Sequence, residues 1–261
     1  MFYCYGISED LDTILTDTII LCGYNPREQT SFMLSIPRDT FIGKDKNNGR
    51  ATDKINSLYT ISPEKAMDKV SEITGIPVKY YAVINTDSLV NVVDIIGGVE
   101  FDVPIDMKYD DPTQNLHIDL EAGMQKIDGK KAEQLLRFRH NNNGSSYSWE
   151  YGDNDYGRMR TQREFIKELA KQTIRFKNIP KIKILTNEVF NNLETNLTFD
   201  QVVAYVPYAI NIDTEKIDGQ QLPGVSEKCN EVWFFIHNKK ETEELVKAMI
   251  EQMENKIEES K

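Results

Sequence analysis

The sequence has no long apolar run and few cysteines and histidines, and each scarcity excludes a class of protein. No window reaches the roughly 18 consecutive apolar residues of a transmembrane helix, so we predict that no segment of this chain spans a bilayer. The three cysteines, Cys4, Cys22 and Cys229, form no CxxC pair, and the three histidines match no ligand spacing, which argues against a zinc site. We expect buried free thiols, although Cys4 and Cys22 would pair if their strands were neighbours.

Positive charge is also scarce, which makes its one local concentration informative. Acidic residues outnumber basic ones by 42 to 31, and a net charge of -11 argues against nucleic acid as the main partner. Five of the nine arginines nevertheless lie between Leu135 and Arg163. Arginine binds carboxylate or phosphate well, so the segment could be an anion-binding site. The alternative is a solvated basic patch. The five are Arg137, Arg139, Arg158, Arg160 and Arg163.

Hydrophobic periodicity and turn signals predict alternating strands and helices. Two apolar runs around Asn25-Pro26 predict a β-hairpin, and Ser62-Pro63 is typical of a helix start. This alternation predicts an α/β domain with helices on both faces of a central sheet. The other predicted strands are 79–84, 99–103 and 233–236, and the other predicted helices are 89–96, 128–136, 159–176, 199–209 and 241–258.

Six short motifs, in a fixed order, carry a resemblance to a known family. Each motif is weak alone, but the ordered set resembles the LytR–CpsA–Psr family of bacterial cell-wall glycopolymer transferases. The match covers roughly residues 1–176 and is looser toward the chain end. The motifs are TDTIIL (Thr16–Leu21), SIPRDTFI (Ser35–Ile42), DKIN (Asp53–Asn56), VDIIGGVEFDVP (Val93–Pro104), LLRFRH (Leu135–His140) and DYGRMRTQR (Asp155–Arg163).

The resemblance implies a fold, an activity and partners. It implies a three-layer α/β/α architecture with a central mixed sheet, in a single catalytic domain over 1–261 whose segment 177–261 packs on the motif core. It implies transfer of a glycopolymer, teichoic acid or capsule-like, from a polyprenyl-pyrophosphate glycolipid to peptidoglycan, assisted by Mg²⁺. Since that acceptor lies outside the cell, we expect a soluble domain on the extracytoplasmic face of the membrane, held by an anchor upstream of Met1.

The resemblance also assigns roles to individual residues. Asp17 is implied as the Mg²⁺ ligand, and carboxylate with phosphate oxygens suits that cation. The implied catalytic residues are Asp17, Arg38, Arg137 and Arg139. The implied pyrophosphate-binding residues are Arg38, Lys54, Arg137, Arg139, Arg158 and Gln162, with Arg158 and Gln162 sharing a helix face.

A plainer interpretation stands beside each of these roles. Arg137 and Arg139 could be helix C-terminal cations, and Lys54 a surface lysine. Asp39 is expected to orient Arg38 or cap its loop, and the general base stays open between Asp17 and Asp39. The stripe formed by Leu89, Val92, Val93 and Ile96 is either the wall of an apolar lipid tunnel or plain core.

Three positions depart from the family pattern and motivate other functions. Ser8 and Leu15 stand where the family has a second metal-site aspartate and an arginine, and Thr161 replaces another arginine. These departures put turnover in doubt more than lipid binding. The alternatives are a non-catalytic polyprenyl-phosphate binding protein and a Mg²⁺-dependent polyprenyl pyrophosphatase.

Overall fold

A computed structural model describes residues 7–8, 16–152, 154–173, 193–210, 212–213 and 216–254, together with positions 184, 187 and 190. The strands are β1 (Ile7–Ser8), β2 (Thr16–Asn25), β3 (Thr30–Ile36), β4 (Ala82–Asn85), β5 (Val99–Val103), β6 (Met107–Asp111), β7 (Leu116–Leu120), β8 (Gly123–Ile127), β9 (Leu193–Thr195), β10 (Ile217–Gln221), β11 (Gly224–Cys229) and β12 (Val232–His237). The helices are α1 (Pro63–Thr74), α2 (Thr86–Ile96), α3 (Gly129–Arg137), α4 (Asn154–Thr173), α5 (Phe199–Ile210) and α6 (Lys239–Glu254).

The chain divides into two compact units, which are described separately. Unit 1 comprises residues 1–85 and 193–261, and unit 2 comprises residues 86–192. The expectation of a single catalytic domain stays a prediction. Within the described residues, no helix is long and apolar enough to cross a membrane.

Unit 1 is built on a six-stranded mixed sheet in the order β10-β3-β2-β1-β4-β9. The β1–β2, β2–β3 and β4–β9 pairs are antiparallel, whereas β1–β4 and β10–β3 are parallel. Successive residues Phe32 to Ile36 of β3 are all buried, so both faces of this strand are covered. Helix α6 packs against β2 and β3. The predicted α/β class with a central mixed sheet is confirmed.

Local signals set the limits of these elements. Asn25 closes the β2–β3 turn, because its side-chain oxygen accepts from the backbone N–H of Arg27 at 3.1 Å. Helix α1 begins after Ser62 and ends at Gly75 (φ 71°), as the sequence predicts. The strand predicted over 79–84 begins only at Ala82, because the Asn196 side chain takes up the Tyr81 N–H and the Lys79 carbonyl.

Unit 2 contains two two-stranded antiparallel sheets, β5–β8 and the β6–β7 hairpin, with helices α2, α3 and α4. Strand β5 alternates buried and exposed residues, and its Phe101 packs edge-on against Phe165 of α4 at 5.4 Å between ring centroids. The β6–β7 hairpin was not predicted from the sequence; its strands have five residues each, and only β7 alternates regularly between buried apolar and exposed polar residues.

The apolar stripe of α2 is part of the core of unit 2. Leu89, Val92, Val93 and Ile96 are all buried, as both interpretations of the stripe require. A lipid tunnel lined by these residues stays a prediction. The predicted helix residues Phe176 and Ile257 lie outside the described residues.

Candidate functional site

In unit 1, the PRD motif occupies the turn at the end of β3 and forms an ion-pair cluster. Lys54 Nζ lies 2.7 Å from Asp39 Oδ1, and Arg38 Nε lies 3.9 Å from Asp39 Oδ2. One carboxylate therefore holds two cations, which leaves the group with a net positive charge. We call Arg38, Asp39 and Lys54 the PRD cluster. The expected role of Asp39 in orienting Arg38 agrees with this geometry.

The backbone explains why the separate DKIN motif reaches this turn. The N–H of Ile42 donates to Asp53 O, and the N–H of Ile55 donates to Thr40 O, both at 2.9 Å. Phe41 and Lys54 consequently form an isolated antiparallel bridge. Lys54 is thus fixed beside Asp39 by main-chain pairing, and its side chain is mostly buried.

Asp17 can be placed by its backbone alone, since its side chain is outside what the structure describes. It is the second residue of β2, between Thr16 and Thr18, which pair with Ser8 and Ile7. The β2–β3 register ends with Ile19 opposite Ile36. Strand β3 ends there, and Arg38 lies two residues further on, in a turn in which the Thr40 N–H donates to Pro37 O.

In unit 2, a second ion-pair cluster joins the RFRH and D-x-G-R motifs. Asp155 Oδ1 lies 3.5 Å from Arg139 Nε and 3.3 Å from Arg158 Nη2. We call Arg139, Asp155 and Arg158 the RDR cluster. Like the PRD cluster, it sets two cations against one carboxylate and so retains a net positive charge. Two of the predicted pyrophosphate ligands are thereby brought together.

Arg158 is the most unusual residue of the RDR cluster. It lies in the first turns of α4 and is only 2% exposed, although Asp155, its ion-pair partner, is 44% exposed. Its Nε and Nη1 atoms are buried and have no hydrogen-bond partner among the described residues. Buried donors without partners are costly, and native proteins retain few of them. An anionic ligand that accepts from these two N–H groups would remove that cost.

Arg137 lies apart from this ion-pair geometry. It is the last residue of α3, and its Nη1 donates to Glu133 Oε1 at 3.0 Å, one turn earlier. The next residue, Phe138, is extended (φ -64°, ψ 134°) and fully buried. Arg137 and Arg139 are both partly exposed, and their convergence on one pocket stays a prediction.

Gln162 lies one turn beyond Arg158 on α4 and is buried. Its Nε2 donates to the carbonyl oxygen of Leu136 at 2.9 Å, which ties α4 to the C-terminal end of α3. Its Oε1 has no hydrogen-bond partner within the described part of the chain. The contact to Leu136 gives Gln162 a structural role in positioning the two arginine-bearing helices.

The remaining arginines of the segment have different surroundings. Arg160 is exposed, as expected, and its guanidinium stacks 4.4 Å from the centroid of the Tyr151 ring. Arg163, for which the sequence favoured neither interpretation, is buried. Thr161, where the family has arginine, is buried and shares a hydrogen bond with the Tyr151 hydroxyl at 3.1 Å.

The aromatic loop before α4 mainly packs on itself. Tyr147 and Tyr151 stack with 5.4 Å between ring centroids, whereas Trp149 is 84% exposed. Burial raises the pKa of both tyrosine phenols, so neither ionises near neutral pH. Neither tyrosine is therefore a candidate general base.

The contacts of the carboxylates indicate which of them could bind a metal ion. In the described residues, no group of three or more His, Cys, Asp or Glu side chains could hold a metal ion. Asp39 and Asp155 each face two cations, which disfavours a divalent cation at either carboxylate. The predicted role of Asp17 as Mg²⁺ ligand stays a prediction, since its side chain is outside the described residues.

The sequence did not reveal the role of Asp155. It belongs to the D-x-G-R motif, and its spacing of three from Arg158 on one helix is a pairing signal. It proves to be the carboxylate shared by both arginines of the RDR cluster.

We expect the substitution Asp155→Asn to lower the free energy of unfolding. It removes the negative charge next to a buried guanidinium, and the partial exposure of Asp155 reduces the loss to about 1–2 kcal/mol. Urea denaturation measures this difference, with Glu150→Gln as a control that removes one negative charge from an exposed residue of the preceding loop. An unchanged midpoint for Asp155→Asn would show that the pair does not stabilise the fold.

Comparison with known proteins shows which family the sequence matches. The profile of the LytR_cpsA_psr family matches residues 9–251. An uncharacterized protein of Staphylococcus aureus is 29% identical over 228 residues, which cover 87% of this chain and 53% of that protein. Polyisoprenyl-teichoic acid–peptidoglycan teichoic acid transferase TagU of Bacillus subtilis is 28% identical over 256 residues, which cover 95% of this chain and 76% of TagU.

The fold is also similar to that of a solved structure. The crystal structure of Bacillus subtilis TagV superposes with a TM-score of 0.78, covers 97% of each chain and is 23% identical. At this identity the likeness shows the fold alone. This chain spans about half the length of the Staphylococcus aureus relative.

Proposed function

This chain belongs to the LytR–CpsA–Psr family, and we propose that it transfers a polyprenyl-pyrophosphate-linked glycopolymer of the teichoic acid type onto peptidoglycan. The family predicted from the motifs is confirmed. The substrate, the chemistry and the site residues are the proposal.

The observation that carries the proposal is the buried guanidinium of Arg158. It presents two donor groups that lack partners in the described residues, beside a second arginine and in a cluster of net positive charge. A pyrophosphate offers several charged oxygens, and arginine binds such groups with planar, paired hydrogen bonds. The backbone N–H groups at the start of α4 also favour a phosphate.

The proposed reaction is a displacement at phosphorus. An acceptor hydroxyl oxygen forms a bond to the phosphorus that carries the glycopolymer, and the bond to the bridging oxygen breaks. Polyprenyl phosphate leaves, and the hydroxyl proton passes to a base, for which Asp17 and Asp39 stay the candidates. We propose that Arg137, Arg139 and Arg158 of unit 2 stabilise negative charge on the leaving phosphate, and the phosphate-binding roles of Arg38 and Lys54 in unit 1 stay predictions.

We propose Asp17 as the residue that would hold Mg²⁺. Its carboxylate would hold the ion together with phosphate oxygens of the substrate, and the ion would supply neutralisation of charge on the phosphates. The PRD cluster, at the end of the hairpin that contains Asp17, would bind phosphate through Arg38 and Lys54. Gln162 would act indirectly, by fixing α4 against the end of α3.

The proposed location follows from the proposed acceptor. Peptidoglycan lies outside the cell, so we propose that this soluble domain acts at the extracytoplasmic face of a bacterial membrane, through an anchor upstream of this chain. Partners would then be a polyprenyl-pyrophosphate glycolipid and peptidoglycan.

A second candidate function is binding of the lipid without turnover. Thr161, which replaces a family arginine, is buried and engaged with Tyr151, so this position supplies no cation to a phosphate. A pyrophosphatase that uses water as acceptor is the third candidate. Both keep the pyrophosphate-binding role of the arginines.

We expect purified protein to transfer glycopolymer to peptidoglycan only with Mg²⁺, and Arg137→Ala to reduce the rate about 100-fold or more, since one electrostatic donor contributes about 10²–10³ in rate. Radiolabelled polyprenyl-pyrophosphate glycolipid with peptidoglycan measures transfer. Arg160→Ala, with an exposed arginine, is the matched control and keeps the activity.

Each of the other functions has its own signature in this assay. Phosphate release with water alone would assign the pyrophosphatase, and tight binding with neither release nor transfer would assign the binding protein. Transfer that persists in Arg137→Ala would contradict the catalytic role of this residue.

A further inference from the structure

The β6–β7 hairpin and the asparagine-rich turn 141–145 enclose a polar groove that none of the roles above uses. We call it the hairpin groove, and its volume is about 760 Å³, within the range of ligand sites. Its floor is the exposed face of the hairpin, where Lys108 pairs across the strands with Asp119, and Asp110 with His117. The wall is built from Asn141, Asn142, Asn143 and Ser145.

This wall is fixed to the edge of β6 by side-chain amides that imitate a neighbouring strand. Asn142 Oδ1 accepts from the Asp110 N–H at 2.7 Å, and its Nδ2 donates to the Asp110 carbonyl at 3.1 Å. Its backbone N–H donates to the Lys108 carbonyl at 3.2 Å. Asn141 makes the corresponding contacts to the backbone of Lys108 and Asp106. The groove is therefore held in shape before any ligand binds, which lowers the entropic cost of binding.

The negative charge of the groove disfavours binding of the polyprenyl-pyrophosphate glycolipid, which is the donor in the proposed reaction. Asp106, Asp110 and Asp119 face one lysine and one histidine, so the net charge is negative whether or not His117 is protonated. A pyrophosphate or a teichoic acid, both polyanions, would be repelled. Among the described residues these carboxylates form no metal-binding group, so a divalent cation is not favoured either.

The groups that remain suit a neutral ligand with many hydroxyls. The lining combines carboxylate and amide oxygens with amide, ammonium and imidazole donors. We propose that the hairpin groove binds a neutral sugar segment of the acceptor glycan. This inference rests on the proposed function, because that function makes the sugar part of the acceptor.

The test is a titration of the whole chain with tetra-N-acetylchitotetraose, a neutral amino-sugar oligomer, followed by nuclear magnetic resonance. We expect saturable shifts at groove residues with a dissociation constant of about 1 mM, a weak affinity. The double substitution Asp110→Ala and Asp119→Ala removes two exposed carboxylates and is expected to weaken binding about tenfold or more. The matched control, Glu164→Ala with Glu168→Ala, alters a second groove of about 480 Å³ in unit 2 and leaves the affinity unchanged.

Three outcomes would overturn the inference. They are no saturable binding, an equal loss in the control variant, and shifts at the groove produced by MgCl₂ or CaCl₂ but not by the sugar. Binding of geranylgeranyl pyrophosphate is measured on the same samples, and the groove variant is expected to retain it. If the unsubstituted chain failed to bind that lipid, the proposed function would fail, whereas the sugar result would stand or fall separately.

Discussion

Arg158→Met is expected to make the protein more stable. Methionine is an unbranched apolar side chain that fills irregular core space, and it removes a buried guanidinium with two donors that lack partners in the described residues. Asp155 is left behind, but it is 44% exposed and stays hydrated. We expect the free energy of unfolding to rise by about 1–3 kcal/mol, the usual cost of an unsatisfied buried polar group. Urea denaturation monitored by circular dichroism measures the change.

The control for this prediction is Arg160→Met, two residues further along α4. Arg160 is exposed and stacks on Tyr151, so its replacement is expected to change stability by less than about 0.5 kcal/mol or to lower it slightly. A loss of stability in Arg158→Met would show that the guanidinium is well paired in the folded protein. The free energy of unfolding is expected to rise in Arg158→Met and to fall in Asp155→Asn. Measuring both variants is therefore a sharper test than measuring either alone.

Gly157→Ala is expected to destabilise the protein strongly. Gly157 belongs to the D-x-G-R motif, and an added Cβ would overlap the backbone carbonyl oxygen of Gly152 and the ring of Tyr147. Neither can move easily, because Tyr147 is buried between Phe138 and Tyr151. The strain outweighs the gain in helix propensity, and we expect a net loss of about 2–3 kcal/mol in the free energy of unfolding.

Thermal or urea denaturation checks this loss, with Arg160→Ala as the control on the exposed side of the same helix. The control is expected to unfold like the original protein. If Gly157→Ala were as stable as the control, the close approach of the Gly152 loop to α4 would be wrong. The glycine of the motif is thus required for the packing that places the first turns of α4, where Arg158 lies.

Elements with a strong local signal could be predicted from the sequence. The α1 helix carries Ser62, Pro63 and Gly75 at the positions that start and end a helix, and the structure has the same limits. The stripe of α2 likewise predicted its buried face. In each case the signal is contained within about a dozen neighbouring residues.

Features that depend on distant contacts could not be predicted in this way. Strand β4 begins late because Asn196, more than 100 residues away, takes its first hydrogen bonds. The β6–β7 hairpin is braced by the side-chain amide of Asn142, which lies 32 residues from Asp110 in the sequence. Local sequence reasoning does not reveal either partner.

In the candidate site, too, some features could be predicted from the sequence and others depend on contacts that only the structure shows. The motifs identified the arginines, yet their shared carboxylates came from the structure. In the PRD cluster, Asp39 lies closer to Lys54 than to Arg38. In the RDR cluster, Asp155 pairs with both arginines. Each cluster combines two cations with one anion, an arrangement that holds the cations in place and leaves charge for a phosphate.

The most direct test of the central claim is the affinity of Arg158→Met for geranylgeranyl pyrophosphate, measured by isothermal titration calorimetry beside Arg160→Met. Two hydrogen bonds to a charged group are each worth about 1.5–3 kcal/mol, so Arg158→Met is expected to lose about 100-fold or more in affinity. Arg160→Met is expected to bind like the original protein. A folded Arg158→Met variant with unchanged affinity would contradict the assignment of the buried guanidinium as a pyrophosphate ligand.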